Sequence, residues 1–324
     1  MQKQKLLSDT EKAKMYQKRL KRKEYWFVLA LVAWPVMHFL VFWLYVNINS
    51  FLHLFQSYRP LKRVYEWTGF YNLKHVFKEM VLGNNESMQR AMFNSVFSII
   101  PGLFIILPLA FITAYSFYKH VPGERAFRVL FYIPSMVSVV ALTMSYKYMF
   151  DPDFGPIRLL FNKMGGDELK WLAAVPGNKM LWPLIYTYCV WSGLGSNVIL
   201  MGGAMMRIPK EVTESGRLDG VGFWHESVSI VLPLIMPTVT NFIVLTLMGM
   251  FGFLTQPMLL TDAGGGSSGA ALTVAMYIYN TAGSGHMEKY DAAITAGVMF
   301  SLIFGPIIFV IKIILDRVAP KVEF

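Results

Sequence analysis

The sequence predicts an all-α, polytopic membrane protein with six transmembrane helices, and three observations lead there. Hydrophobic residues fill 55% of the 324 positions and charged residues only 15%. With a mean hydropathy of +0.43, that is more apolar side chain than a water-soluble domain of this length can bury. Six apolar windows reach the roughly 20 residues that a hydrocarbon core of about 30 Å requires. Each window is continuous, without the alternating segments of about ten residues that mark an outer-membrane barrel. Every backbone group in lipid must then be paired inside its own helix.

The first window, Trp26 to Ile48, follows a tail over 1–24 that is rich in Lys and Arg. Nine basic residues precede Trp26 against three acids, which holds that end in the cytoplasm. The apolar stretch is too long for the core of a signal peptide and no small-residue cleavage site follows, so 25–48 is read as an uncleaved anchor. An outer loop with interfacial helices is expected over 49–90. Five further windows form a core over 91–315: Ala91 to Tyr118, Val129 to Phe150, Met180 to Met206, Val228 to Leu260 and Ala292 to Leu315. A short tail, 316–324, closes the chain, and six crossings return it to the cytoplasm with the N-terminus.

The connections agree with that topology. KHVPGERAFR, the segment around Arg207 and DRVAPKVEF carry Lys or Arg, while 261–290 holds only Lys289 and is expected outside. The 49–90 loop strains the rule with six basic residues, but the rule weakens as loops lengthen. There Arg59, Lys62, Arg63, Lys74, Lys78 and Arg90 outnumber Glu66, Glu79 and Glu86, a mild positive field able to attract a polyanion. Trp67, Phe70, Tyr71 and Phe77 equally fit a loop lying in the headgroup layer. The basic excess elsewhere belongs to a tail beside a membrane helix, which points to anionic lipid rather than nucleic acid.

Several chemistries are poorly served. Cys189 stands alone, so no intramolecular disulfide can form and a thiolate metal site is not expected. No G-x-x-x-x-G-K-[ST] motif is present, so this chain does not cradle and hydrolyse a nucleotide itself. The run GGGSSG at 264–269 lacks the lysine and reads as a loop. The six histidines are scattered without H-E-x-x-H, and His38 reads as a packing residue. The spans are nearly free of ionisable groups, with Lys147, Asp151 and Lys312 near their ends. An ion-coupled carrier needs a charge near the bilayer midplane, so the driving energy is expected from elsewhere.

That directs attention to RIPKEVTESGRLDGVGFWHESVSIVLPLIMP, a polar stretch from Arg207 between two apolar runs. Pro209 suits a first helical turn, where its missing N–H removes nothing. Glu211 and Glu214 complement the positive N-terminal end of the helix, and Gly220 after Asp219 is a natural stop. The prediction is a helix of about 11 residues, roughly 16 Å long. Glu211, Glu214, Ser215 and Leu218 share one face. Ser215 and Gly216 are expected to leave that face bare enough for a partner to approach the backbone. Such a face describes a docking peg.

These residues resemble a signature of permease subunits of bacterial ABC importers: Glu, two small residues, three residues, Gly, nine residues, then I-x-L-P. Here it reads Glu214, Ser215, Gly216, Gly220, Ile230, Leu232 and Pro233. Ser-Gly replaces the common Ala-Ala, which weakens the helix intrinsically by about 1 kcal/mol. The flanking IPKE and LDG, WTGFYNLKHVF, FDPDFGPIRLLFNKMG, WSGLGSNVILMGGAMMRIPKE and LLTDAGGGSSGAALTVAMYIYNTA look like the carbohydrate-uptake branch. The resemblance covers most of residues 60 to 315 and is nearest to oligosaccharide and polysaccharide importers, including those for alginate. It implies a type I ABC importer permease fold in a bacterial inner membrane and a non-catalytic transport subunit. It further implies a second related permease, two ATPase subunits that use ATP and Mg, and an outer solute-binding protein. This chain would bind no cofactor or metal of its own. The coupling helix, 208–222, would insert into the ATPase, with Glu214 paired to a basic residue and Asp219 and Gly220 fixing the turn.

Cargo contacts are harder to read. Asn94, Tyr146, Tyr148, Trp191, Asn197, Asn241 and Gln256 offer the aromatic faces and amides that hold sugars. Polar groups at membrane depth require partners, yet Tyr and Trp also gather at interfaces and Asn also ties helices together. As a set they fit a polar solute and not a metal ion. The expected function is import of an oligosaccharide or polysaccharide, with an alginate-like polyuronate favoured by the basic loop. A permease for amino acids, peptides or phosphate, or a membrane scaffold without transport, are the alternatives.

Overall fold

The computed structural model describes residues 9–82, 85–151, 154–157, 160, 179–218, 220–261, 265 and 269–319. Four helices are long and apolar enough to cross a membrane, and six spans result if each of two bent pairs counts as one. Helix α1 runs Asp9–His38, passes through wide π-type turns at Phe39–Tyr45 and ends as Val46–His53. It extends well beyond the predicted 26–48 window on both sides, and none of its apolar window is buried. Its final segment packs on the N-terminal part of the last helix and on the first strand.

The 49–90 stretch departs from the expected set of interfacial helices. Strands β1 (Gln56–Arg59) and β2 (Val64–Trp67) form an antiparallel hairpin, with Gln56 opposite Trp67 and Arg59 opposite Val64. Pro60 cannot continue a ladder, and Arg63 takes a left-handed φ of 53° in the turn. One helix follows, α2 (Tyr71–Val81), which buries Asn72, Val76 and Met80 at i, i+4 and i+8. Asn72 donates to the carbonyls of His53 (3.2 Å) and Gln56 (2.8 Å) and accepts from the Ser57 hydroxyl (2.7 Å), tying the hairpin to α1.

Helix α3 spans Glu86–Tyr118, 33 residues, about 50 Å at 1.5 Å per residue. It starts five residues before the predicted Ala91 because the Asn85 side chain caps it, accepting from the Ser87 and Met88 amides. Pro101 lacks the N–H the ladder needs, and wide turns at Pro101–Ile106 accommodate it. The predicted third span is not one rod. Helices α4 (Glu124–Met136) and α5 (Val139–Met149) meet at 100°, with Val137 extended between them and Pro134 one turn earlier. Helix α6 (Leu181–Met205) crosses α4 at Gly195, where a Cβ would collide with the Phe131 carbonyl oxygen.

After the short helix α7 (Lys210–Leu218), α8 (Phe223–Leu234) and α9 (Met236–Gly249) meet at 75°. Ile235 sits at the bend, flanked by Pro233 and Pro237, which remove two ladder donors. The predicted fifth span therefore stops at Gly249, and its last residues form a separate helix, α10 (Thr255–Leu260). Helices α11 (Val274–Gly283) and α12 (Met287–Val318) complete the bundle. Three apolar clusters hold it together. One surrounds Tyr115, Met201, Met205 and Val231; a second, Met80, Met88, Met276 and Phe300; a third, Tyr146, Ile185, Tyr188 and Leu260.

Candidate functional site

The predicted docking peg is α7, and the chain is pinned on both sides of it. Ile208 is buried with Met205 in the first apolar cluster, so the entry to the helix is fixed by packing. The Pro209 carbonyl accepts the Val212 amide at 3.2 Å, and the Thr213 hydroxyl donates to the Lys210 carbonyl at 3.0 Å. At the other end Gly220 adopts φ +74°, and the Val221 amide donates to the Gly216 carbonyl at 3.0 Å. That crossing bond with a left-handed glycine is the usual device for closing a helix C-terminus. The helix is described over nine residues rather than about eleven, and the glycine that closes it is the expected one.

Its two faces divide cleanly. Glu211, Glu214, Ser215 and Leu218 are exposed, Leu218 to 89%. Thr213 and Gly216 are buried, and Val212 packs on the first cluster. Gly216 therefore belongs to the inner face and not to the bare outer face expected for it. A Cβ on Gly216 would stand 3.0 Å from Ile230 Cδ1, so its small size lets α7 lie against α8. Asp219, expected to fix the turn, lies outside the described residues.

A second feature of this end was not read in the sequence. Lys119, at the C-terminal end of α3, forms an ion pair with Glu226 in the first turns of α8, the side chains 13% and 4% exposed. The Lys119 ammonium lies 5.6 Å from the Tyr115 ring centroid, and that ring is 4.7 Å from Phe223. The two charges are separated by 107 positions, and no local spacing could have joined them. The available signal was a charged residue at the edge of each apolar run.

The pathway candidates are dispersed over α3, α5, α6, α9 and α10. Asn94 is a tie: its amide donates to the carbonyls of Ala270 (3.1 Å) and Leu272 (2.7 Å). Tyr146 is buried and donates to the Leu184 carbonyl at 3.1 Å, while its ring meets Tyr188 at 5.2 Å and Trp191 at 6.3 Å. Trp191 is 44% exposed, so it presents a face backed by two other rings. Tyr148 is half exposed, beside Phe154. Asn197 donates to the Gly193 carbonyl at 2.7 Å and lines a groove of about 300 Å³ with Ser98 and Thr246. Asn241 is exposed and Gln256 half-buried. Among the described residues no group of His, Cys, Asp and Glu is placed to hold a metal ion.

Comparison with known proteins places this architecture. Residues 106–324 match the family described as binding-protein-dependent transport system inner membrane component. The chain is 27% identical over 271 residues to the probable ABC transporter permease protein YurN of Bacillus subtilis, covering 82% of this chain and 88% of that protein. It is 21% identical to the diacetylchitobiose uptake system permease protein NgcF of Streptomyces coelicolor, covering 88% and 82%. Its fold resembles a chain of a bacterial ABC transporter involved in import of the acidic polysaccharide alginate. That match has a TM-score of 0.77 at 22% identity over 94% of this chain and all of that one. The chain therefore belongs to the inner membrane components of binding-protein-dependent transport systems, the non-catalytic permease subunits of ABC importers, and groups there with permeases of carbohydrate uptake.

Proposed function

We propose that this chain forms half of the membrane pathway of an ATP-driven importer that carries an oligosaccharide or polysaccharide into the cytoplasm. The observation that carries the proposal is α7, a short helix fixed at both ends that turns Glu211, Glu214, Ser215 and Leu218 to the exterior. In this reading those side chains enter a groove on an ATPase subunit, Glu214 meets a basic residue there, and closure of the ATPase moves α7. ATP and Mg are used by two such subunits, and this chain holds no cofactor. The protein lies in a bacterial inner membrane with both termini cytoplasmic. That orientation rests on the nine basic residues before Trp26 and on the Lys and Arg of the connections. It puts the β1–β2 hairpin on the outer side, where a solute-binding protein delivers cargo.

The second permease is a related chain. Helix α1 fits such pairing because its apolar window buries nothing against its own subunit. The polyuronate reading draws on the alginate importers of the same fold, one determined with a periplasmic protein holding an alginate pentasaccharide. The basic 49–90 stretch supports it less than its composition implies. Glu66 takes both Arg59 (3.2 Å) and Lys62 (2.6 Å), and Glu86 takes Arg90 (3.0 Å). Uptake by proteoliposomes holding both permeases and the ATPase is the test. Flux of an alginate oligosaccharide that requires internal ATP and external binding protein is expected, and no flux of any saccharide would overturn the reading.

A further inference from the structure

We infer that Lys119 and Glu226 are positioning residues that make α7, the first turns of α8 and the last turn of α3 move as one body. The inference rests on the reading of α7 as the ATPase-docking helix and extends it into the membrane. Only the residues 219–222 separate α7 from α8, and Gly216 packs directly on Ile230 of α8. The start of α8 is then clamped to α3 twice, by the buried ion pair and by the Tyr115–Phe223 ring contact at 4.7 Å. The four residues interlock, since Tyr115 and Lys119 are one turn apart on α3 and Phe223 and Glu226 one turn apart across the start of α8. Each charge also sits at the helix end whose dipole it complements.

An apolar pair of similar volume can match a buried ion pair in stability, but apolar surfaces carry no directional bond and can slide past one another. What the charges add is direction, because a carboxylate buried at 4% exposure cannot leave its one ammonium without being stranded in a poorly solvating site. A push on α7 is therefore delivered to α3, the 33-residue helix that reaches the hairpin end of the bundle.

The experiment uses the full importer in proteoliposomes. Spin labels at Ile112 and Lys210, both exposed, on a Cys189→Ser background report the distance from α3 to α7. In the otherwise unaltered chain that distance is expected to stay fixed between nucleotide-free and ATP-trapped states. In Lys119→Met/Glu226→Leu it is expected to change with nucleotide. Uptake per ATP should fall roughly tenfold in the double variant, a size common for coupling between sites, and recover in part in the charge-swapped Lys119→Glu/Glu226→Lys, which restores the pair but sets each charge against its helix dipole. A distance that changes with nucleotide in the unaltered chain overturns the inference, and that measurement needs no variant of the pair. Undiminished uptake per ATP in the double variant does the same. Should Glu214→Arg leave ATPase binding intact, the docking reading itself fails, and this inference falls with it.

Discussion

Gly216 lies against Ile230, so close that a Cβ on the glycine would stand 3.0 Å from the isoleucine Cδ1. Two residues of the recurring permease pattern thus touch, and the small residue keeps the peg flat on the span that follows it. Gly216→Ala adds one methyl against the flexible end of a side chain and gains about 1 kcal/mol of helix propensity, so thermal stability should change by less than about 1 kcal/mol. Gly216→Leu cannot fit without shifting α7 and should destabilise by roughly 1–3 kcal/mol. Thermal unfolding in detergent separates the two, and a Leu variant as stable as the parent would contradict this packing.

Glu214 tests the docking face from the other side. It is exposed and carries no intrachain ion pair among the described residues, so Glu214→Arg should leave folding and insertion within about 0.5 kcal/mol of the parent. Association with the ATPase should weaken at least tenfold, about 1.4 kcal/mol. Co-purification of the purified subunits reads this directly.

Asn94 is predicted to matter for stability and not for cargo. Replacing it with Ala leaves the Ala270 and Leu272 carbonyls without the amide they share, at a cost of roughly 1–3 kcal/mol. The melting temperature should fall while the half-saturating saccharide concentration in uptake assays stays put. A shift in that concentration without a loss of stability would return Asn94 to the pathway.

These assignments show which parts of the fold are legible in a sequence. The faces of α7 were, because exposure at Glu211, Glu214, Ser215 and Leu218 follows the helical period, and its end was, because Gly220 needs φ +74°. The bends at Val137 and Ile235 were not, because a hydropathy window measures transfer to lipid and is blind to the direction of the chain. Pro134, Pro233 and Pro237 marked the places, but proline is tolerated in membrane helices and does not announce an angle. The inward turn of Gly216 was hidden because a small residue looks alike whether it makes room for a partner or for its own chain. The hairpin was hidden by the aromatic residues of Val64–Trp67, which suit a headgroup layer as well as a strand.

Asp291 is predicted to anchor that hairpin. It is 3% exposed, accepts the Tyr58 amide at 2.7 Å and lies 3.0 Å from His53 Nδ1. Asp291→Ala leaves that amide without its acceptor and should loosen β1 by roughly 1–3 kcal/mol. Trypsin cleavage after Lys62 or Arg63 should accelerate in the folded protein, while Asp291→Asn, which keeps an acceptor oxygen, should be cut more slowly. Equal cleavage of the Ala variant and the parent would show that the hairpin holds by other contacts.

Trp191 and Tyr146 separate pathway from packing within one aromatic cluster. The Tyr146 hydroxyl is spent on the Leu184 carbonyl, so Tyr146→Phe should cost about 1 kcal/mol of stability and leave uptake unchanged. Trp191 is 44% exposed with Tyr146 and Tyr188 behind it, so the indole is backed by two rings, and the prediction is that its free face stacks on a sugar ring. Since a solvated or lipid-exposed face gives up little packing, Trp191→Ala should reduce stability less than full burial of an aromatic would imply, by under about 3 kcal/mol. Its effect should instead be a fall in saccharide uptake of roughly tenfold, the scale of a lost aromatic contact. Uptake measured on the same two variants decides the matter, because removing a lipid-facing tryptophan would cost some packing and leave uptake unchanged.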